Sequence, residues 1–177
     1  MKKGIWVLGL LLALVVGYVA AGPYLTISAI KAGIVEQNSE KLSENIDFPT
    51  LRQNLKDQLN AVMMKKVTTD LKDNPFAGFA AVVATKMVDV MVESFVTPSG
   101  LAASMEGKKP SKNESDVSTP PPNKEGLFKN ARFSYDSTSK FSIWVPYDKG
   151  EEARFVLQRD GLSWKLVNLI IPMDDQH

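Results

Sequence analysis

Hydrophobic and polar positions divide this chain into an apolar N-terminus, a half with helical spacing and a half with alternating spacing. The apolar stretch GIWVLGLLLALVVGYVAAG at residues 4–22 is about as long as a helix must be to cross a bilayer. Lys2 and Lys3 precede it, and basic residues stay on the cytoplasmic side of a membrane. The pattern therefore predicts a membrane helix at residues 4–22, with the rest of the chain exported.

A signal peptide is the alternative interpretation of the same stretch. Val19 and Ala21 are small enough for cleavage after Ala21, whereas Pro23 excludes cleavage after Gly22. Against this interpretation, the apolar region of a signal peptide is usually about 7–15 residues long, which is shorter than the stretch found here. Residues 1–23 are therefore predicted to be a membrane anchor or a signal, and both leave the remaining residues outside the cytoplasm.

Apolar residues at steps of three and four predict helices from the anchor to about residue 105. The helical spacing continues past the anchor to Ile34, and Asn38-Ser39 is a capping pair that begins a short second helix. A long amphipathic helix follows from Leu51. It is predicted to end at Asn74-Pro75, because proline pushes the residue before it out of the helical conformation.

The stretch NIDFPTLRQNL at residues 45–55 places an acid, a proline and an arginine at the start of the long helix. Asp47 is suited to accept hydrogen bonds from the free amides of the first turn, and Pro49 fits a first-turn position that needs no amide donor. A catalytic role for Asp47 would need a partner base or a metal, which its neighbours do not supply. We therefore interpret Asp47 as a helix cap.

The next helix, at residues 76–96, carries only a narrow polar stripe, formed by Lys86, Asp89 and Glu93. A helix that is apolar over the rest of its circumference must be covered on more than one side. Two interpretations stay open: a central core helix, or the lining of a site for an apolar ligand or a partner. The candidate apolar binding surface comprises Phe79, Val83, Met87, Met91, Phe95, Trp144 and Trp164.

Residues 104–126 are predicted to form a disordered loop within the domain. They contain four basic residues, four acidic residues and four prolines with almost no apolar side chain, so they bury too little surface to offset the entropy of ordering. One short helix is predicted before the loop, capped by Thr97 and with Pro98 at its first position.

After the loop the spacing of apolar residues changes to two. Four short stretches rich in aromatic and β-branched residues predict successive strands: LFKNARFSYD, KFSIWVPYD, ARFVLQRD and LSWKLVNLIIP. Asp160-Gly161 is a favourable hairpin turn between the last two, which indicates an antiparallel meander. In the second strand Phe141 and Ile143 share the face that we expect to pack against the helices, while Trp144 lies on the more open face.

The expected fold class is α+β: an N-terminal transmembrane helix, a helical half, then a four-stranded antiparallel sheet packed on it. Residues 24–172 are expected to form one domain, because the foldable length is about that of a single domain.

Charge and composition exclude several classes of protein. The 21 basic and 20 acidic residues give a net charge of +1, which is not the strongly basic surface that a nucleic-acid partner requires. There is no cysteine, so a thiolate zinc site and a nucleophilic thiol are excluded, and the single histidine is the last residue, His177. We therefore expect no enzymatic activity, no cofactor and no metal.

Two motifs lie behind the N-terminal hydrophobic helix: IDFPTLRQNLKDQL at residues 46–59 and RDGLSWKLVNLIIP at residues 159–172, of which the second is common to many small α+β domains. Together with that helix they resemble an uncharacterised bacterial family catalogued as domain of unknown function 2939. The resemblance implies a protein of the bacterial envelope and carries over no catalytic residue, cofactor or substrate. The expected location is the bacterial inner membrane with the C-terminal domain in the periplasm, or the periplasm itself after signal cleavage.

Two function classes are consistent with these features. The first is a non-enzymatic binding or assembly module, held in the membrane by residues 4–22, with a protein partner in the envelope. The second is a carrier or binder of an apolar small molecule or lipid, held in a pocket between the helix at residues 76–96 and the sheet.

Overall fold

The computed structural model describes residues 2–71, 74–105, 126–146 and 150–172. The elements in chain order are α1 (Lys2–Val35), α2 (Ser39–Asn45), α3 (Phe48–Asp70), α4 (Ala77–Phe95), α5 (Pro98–Met105), β1 (Arg132–Ser137), β2 (Lys140–Pro146), β3 (Glu152–Asp160) and β4 (Ser163–Ile170). The fold is α+β, with an N-terminal apolar helix, further helices and then a four-stranded antiparallel open sheet, so the predicted fold class is confirmed.

The first helix belongs partly to the domain and partly projects from it. The apolar side chains that precede Val19 are exposed wherever they are described, for example Leu14 and Val16. Further along the same helix Ile30 and Ile34 are fully buried in the core. Pro23 lies inside α1 without ending it. The predicted boundary between the anchor and the domain, at residues 23 and 24, therefore lies within one continuous helix.

The sheet is a meander with the strand order β1-β2-β3-β4, in which every neighbouring pair is antiparallel. Asp160 pairs with Ser163 across a two-residue loop, and Gly161 supplies the positive φ of 62° that this turn requires. The β1–β2 and β3–β4 turns lie at the same end of the sheet, since both pairs are antiparallel hairpins. We call this end, formed by residues 137–140 and 159–163, the turn end.

The two faces of the sheet differ as the alternation predicts. Phe141 and Ile143 are fully buried in the core that the helices share with the sheet. Trp144 is only half-buried and lies on the opposite face. The expected division of β2 into a core face and a more open face is confirmed.

Helix α3 packs along β4 and runs in the same direction. Asp47 N donates to Leu166 O at 2.9 Å near the beginning of both elements, and Gln58 Nε2 donates to Leu169 O at 3.3 Å further along. Beyond Gln58 the helix continues to Asp70, about 18 Å more at the usual rise per residue. The far part of α3 therefore points away from the turn end of the sheet.

Helix α4 returns antiparallel along α3, and we call the pair the helical hairpin. Lys56 Nζ lies 3.2 Å from Asp89 Oδ1 and 3.6 Å from Glu93 Oε1, so two members of the predicted polar stripe of α4 pair with α3. On the packed side, Val88 and Val92 are buried in the core. The hairpin is thus joined to the domain at its base, and its tip lies at the end opposite the turn end.

The residues at both ends of the predicted disordered loop, residues 104–105 and Gly126, are described by the structure. Met105 is the last residue of α5 and is fully buried, and Gly126 begins a turn. Phe128 N donates to Met105 O at 2.7 Å, so the end of α5 and the segment before β1 are in contact. The rest of that prediction, at residues 106–125, lies outside the described residues.

Candidate functional site

One side of α4, together with the N-cap residue Phe76, is largely apolar and in contact with solvent, with Lys86 lying among the apolar side chains. Its apolar members repeat at helical spacing and are between 39% and 72% exposed. We call this surface the α4 outer face, and it consists of Phe76, Phe79, Val82, Val83, Met87, Val90 and Met91. Exposed apolar side chains that are contiguous in this way are typical of interaction surfaces, whereas single ones need no explanation.

The seven residues of the predicted apolar binding surface fall into separate places. Four of them share the α4 outer face: Phe79, Val83, Met87 and Met91. Phe95, at the end of the helix, is partly buried and packs against the core. Trp144 lies on the open face of the sheet, and Trp164 is buried beside α1. Helix α4 packs on α3, which in turn packs on β4, so the seven residues do not share one surface.

Trp164 joins the sheet to the point where α1 emerges from the domain. Proline at position 23 has no amide hydrogen, so the carbonyl of Val19, four residues earlier, loses its partner within the helix. The indole Nε1 of Trp164 donates to this carbonyl at 3.0 Å. At Gly22 an added Cβ would lie 2.3 Å from Cδ1 of the same indole, so only glycine permits the approach.

Tyr135 completes this contact from the neighbouring hairpin. Its hydroxyl donates to the carbonyl of Ala20, and its ring lies 6.1 Å from that of Trp164. Burial, with a smaller contribution from Tyr24, raises the pKa of Tyr135 above its ordinary value of 10.0, so the phenol remains a donor at neutral pH. We call these five residues, Val19, Ala20, Gly22, Tyr135 and Trp164, the helix–sheet junction.

Sequence reasoning missed the junction and part of the α4 outer face. The signal for the junction is a proline inside an apolar helix, because it frees a carbonyl that must find a donor. The distance along the chain, 145 positions from Val19 to Trp164, gives no means of naming that donor. Phe76, Val82 and Val90 were missed because almost every residue of α4 is apolar, so the pattern does not tell its covered side from its exposed side.

The open face of the sheet carries a polar network. Asp136 Oδ2 accepts hydrogen bonds from Ser142 Oγ at 2.6 Å and from Arg154 at 2.7 Å. The hydrogen bond from Ser142 contributes most to lowering the pKa of Asp136 below its ordinary value of 3.8; Arg154 and Lys140 act in the same direction and burial opposes them. The Arg154 guanidinium also lies 4.8 Å from the centre of the Trp144 ring. Asp136 and Arg154 thus find their charge and hydrogen-bond partners within the sheet.

The described residues contain no group of three or more histidine, cysteine, aspartate or glutamate residues placed to hold a metal ion.

Comparison with known proteins identifies a family. No curated protein and no solved structure matches this chain. The model of a family described as Protein of unknown function (DUF2939) matches residues 12–103, which include most of α1 and the helices up to α5. The motif at residues 46–59 lies inside the matched region, and the one at residues 159–172 lies outside it. Because the match spans more than half of the chain, this protein belongs to the DUF2939 family.

Proposed function

We propose that this protein is a membrane-anchored module of the bacterial envelope that binds a protein partner through the α4 outer face and has no catalytic activity of its own. In this proposal residues 4–22 cross the inner membrane, Lys2 and Lys3 remain in the cytoplasm, and the domain lies in the periplasm. The observation that carries the proposal is the exposed α4 outer face, at the end of the domain opposite the projecting part of α1.

The properties of α1 support the anchor. Within the described residues one helix, Gly9–Val35, is long and apolar enough to cross a membrane by length and composition, with a mean hydropathy of 2.0. Only 24% of its most apolar window is buried in the domain. An apolar helix that projects in this way is stable in a bilayer, because its backbone hydrogen bonds are satisfied internally and its side chains need no water.

The helix–sheet junction supports retention of the anchor over its cleavage. Cutting after Ala21 would remove the Val19 and Ala20 carbonyls, which accept from Trp164 and Tyr135. We expect the intact mass of the protein purified from membranes to include Met1 to Gly22. A mature protein that begins at Gly22 would contradict the anchor and favour a secreted domain.

The α4 outer face supports a protein as the partner. Its aromatic and methionine side chains are the types enriched in protein interfaces. Its position on the helical hairpin, which α3 carries away from the turn end, holds it clear of the membrane surface. An amphipathic helix or a second apolar face would cover it by ordinary side-chain packing.

A photo-crosslinking amino acid at Phe79 tests this proposal in the full-length protein in its native membrane. Phe79 is 71% exposed on the α4 outer face, and Thr85, exposed on the same helix but about 120° around its axis from Phe79, is the matched control position. We expect Phe79 to give one discrete crosslinked protein, which disappears in the Val90→Asp variant, and Thr85 to give none. Equal crosslinking from the two positions, or none from Phe79, would defeat the proposal.

Native mass spectrometry of the full chain distinguishes the apolar-ligand function. A bound lipid or small molecule would appear as an adduct of defined mass that survives release from detergent. Such an adduct, together with the absence of a protein crosslink at Phe79, would contradict the protein partner and favour the apolar-ligand function.

A further inference from the structure

The turn end of the sheet lies beside α1 where that helix leaves the domain. Trp164, which follows the β3–β4 turn, contacts the carbonyl of Val19. Tyr135, which precedes the β1–β2 turn, contacts the carbonyl of Ala20. If residues 4–22 cross the membrane, as proposed above, they span about 28 Å of helix, which is close to the thickness of the hydrocarbon core. The turn end would then lie at the level of the lipid headgroups.

The side chains of the turn end suit that position. Leu162, at the tip of the β3–β4 turn, is 60% exposed. Arg159 is paired with Trp164 and so lies on the α1 side of the sheet, while Lys140 and Lys165, both paired with Gln158, lie on the other side. The turn end therefore has an apolar tip with cations on both of its sides.

The acidic residues nearby leave an excess of positive charge. The segments 136–140 and 159–165 contain three basic residues and two acids, Asp136 and Asp160. Asp136 is paired with Arg154, and Asp160 lies 3.5 Å from Lys165, whereas Lys140 and Arg159 are exposed at the turn end. At the opposite end of the sheet the cation Arg132 is paired with the acid Glu152, so these two charges balance each other.

Exposed aromatic side chains lie on α1 and beside it near the helix–sheet junction. Tyr18, Tyr24 and Tyr135 are 57%, 51% and 45% exposed. The Tyr24 ring contacts that of Phe133, itself 43% exposed on the edge strand β1, at 5.9 Å. Tyrosines are enriched at membrane interfaces because the ring is apolar and the hydroxyl remains hydrated.

We propose that the turn end is a docking surface for the headgroups of anionic phospholipids. Leu162 enters the headgroup layer, and Lys140 and Arg159 bind lipid phosphates, to which an arginine can donate two parallel hydrogen bonds. This inference rests on the proposed membrane anchor. With the helix fixed at the junction, docking holds the domain in one orientation and directs the helical hairpin away from the bilayer.

Site-directed spin labelling of the full chain tests the docking. Because the protein has no cysteine, Leu162→Cys provides a single labelling site, and Gly78→Cys on the helical hairpin is the control, with nothing within 4 Å of its Cβ position. In vesicles of phosphatidylcholine and phosphatidylglycerol, we expect the label at position 162 to collide several-fold less often with a water-soluble nickel chelate than the label at position 78. Equal collision rates at the two positions would overturn the docking.

The charge dependence tests the headgroup contact. We expect nickel accessibility at position 162 to rise in vesicles of phosphatidylcholine alone, and to rise equally in anionic vesicles when Lys140→Gln and Arg159→Gln are combined. The control pair Lys66→Gln and Lys86→Gln, on the helical hairpin, should leave it unchanged. Accessibility that is independent of lipid charge would overturn the binding of anionic headgroups. Loss of the anchor itself is recognised separately, as protein that does not float with the vesicles in a density gradient.

Discussion

At the scale of single residues, Asp47 fulfils the role that the start of α3 predicts. Its side chain accepts from Thr50 N at 3.1 Å and from Thr50 Oγ1 at 2.8 Å, so the predicted cap is confirmed. Asp47→Ala should lower the free energy of unfolding by about 1 kcal/mol, while Asp47→Asn should be almost silent because asparagine caps a helix about as well. Urea unfolding of both variants measures this. An unchanged midpoint for Asp47→Ala, with an unchanged slope, would contradict the cap.

Gly22 is a position where one added methyl group should disturb the fold. The indole of Trp164 occupies the space of a Cβ, so Gly22→Ala must displace a large buried ring and should destabilise the domain by about 1–3 kcal/mol. Gly17→Ala in the same helix is the matched control, because nothing lies within 4 Å of its Cβ position. Thermal unfolding in detergent compares the two variants. Equal melting temperatures would mean that the indole does not approach the helix closely.

The Asp136 network should make stability depend on pH in the acid range. The pKa of Asp136 is lowered in the folded protein, so its stabilising effect is complete above the ordinary value of 3.8 and is lost as the pH falls below it. At neutral pH we expect Asp136→Asn to lower the free energy of unfolding by about 1 kcal/mol or less, since the pair is partly exposed. Urea midpoints at a series of pH values should converge for the two proteins below the pKa. A constant difference would contradict the network.

Residue contacts could be predicted from the sequence where both partners are neighbours in the chain. Asn38, Asp47 and Thr97 all cap helices as expected, since each bonds an amide three residues ahead. Gly161 occupies the expected hairpin turn, whose residues are also neighbours in the chain. The pairing of Trp164 with Val19 depends on how the sheet is placed against α1, and the local sequence contains no information about that placement.

At the scale of elements, α4 has two apolar sides of which one is covered. Val88 is fully buried and Val90 is 68% exposed, although both are valines near the middle of the same helix. The alternation in the strands could be predicted because polar residues mark the open face of each. In α4 two residues of the polar stripe pair with α3, and the stripe does not distinguish the covered apolar side from the exposed one. Which side is exposed depends on the position of α3, which the local sequence does not indicate.

The same substitution at these two valines should separate packing from binding. Val88→Ala should lower the free energy of unfolding by about 2 kcal/mol, because it removes buried methyl groups and leaves a cavity. Val90→Ala should change stability by less than about 0.5 kcal/mol, as is usual for exposed positions. Chemical denaturation measures both. A comparable loss at Val90 would mean that another part of the chain covers the α4 outer face.

At the scale of the whole molecule, α1 determines how the domain is presented. The helix passes without a break from its exposed part into the core, so the domain is rigidly attached to it at the junction. The turn end lies on the side of the projecting helix, and the tip of the helical hairpin lies at the far end. The sequence indicates each element but not that the projecting helix and the hairpin tip lie at opposite ends of the domain. That arrangement depends on α3 running in the same direction as β4.

Two truncated chains should show that the last turn before Gly22 is part of the fold. A chain that begins at Gly17 keeps the carbonyls of Val19 and Ala20, whereas one that begins at Gly22 loses both acceptors. Each lost hydrogen bond contributes about 0.5–1.5 kcal/mol net, so the shorter chain should be less stable by about 1–3 kcal/mol. Urea unfolding followed by tryptophan fluorescence compares them, and the longer chain is the control for removal of the preceding apolar residues. Coinciding curves would mean that the domain ends at Gly22 and that α1 before it is a separable anchor.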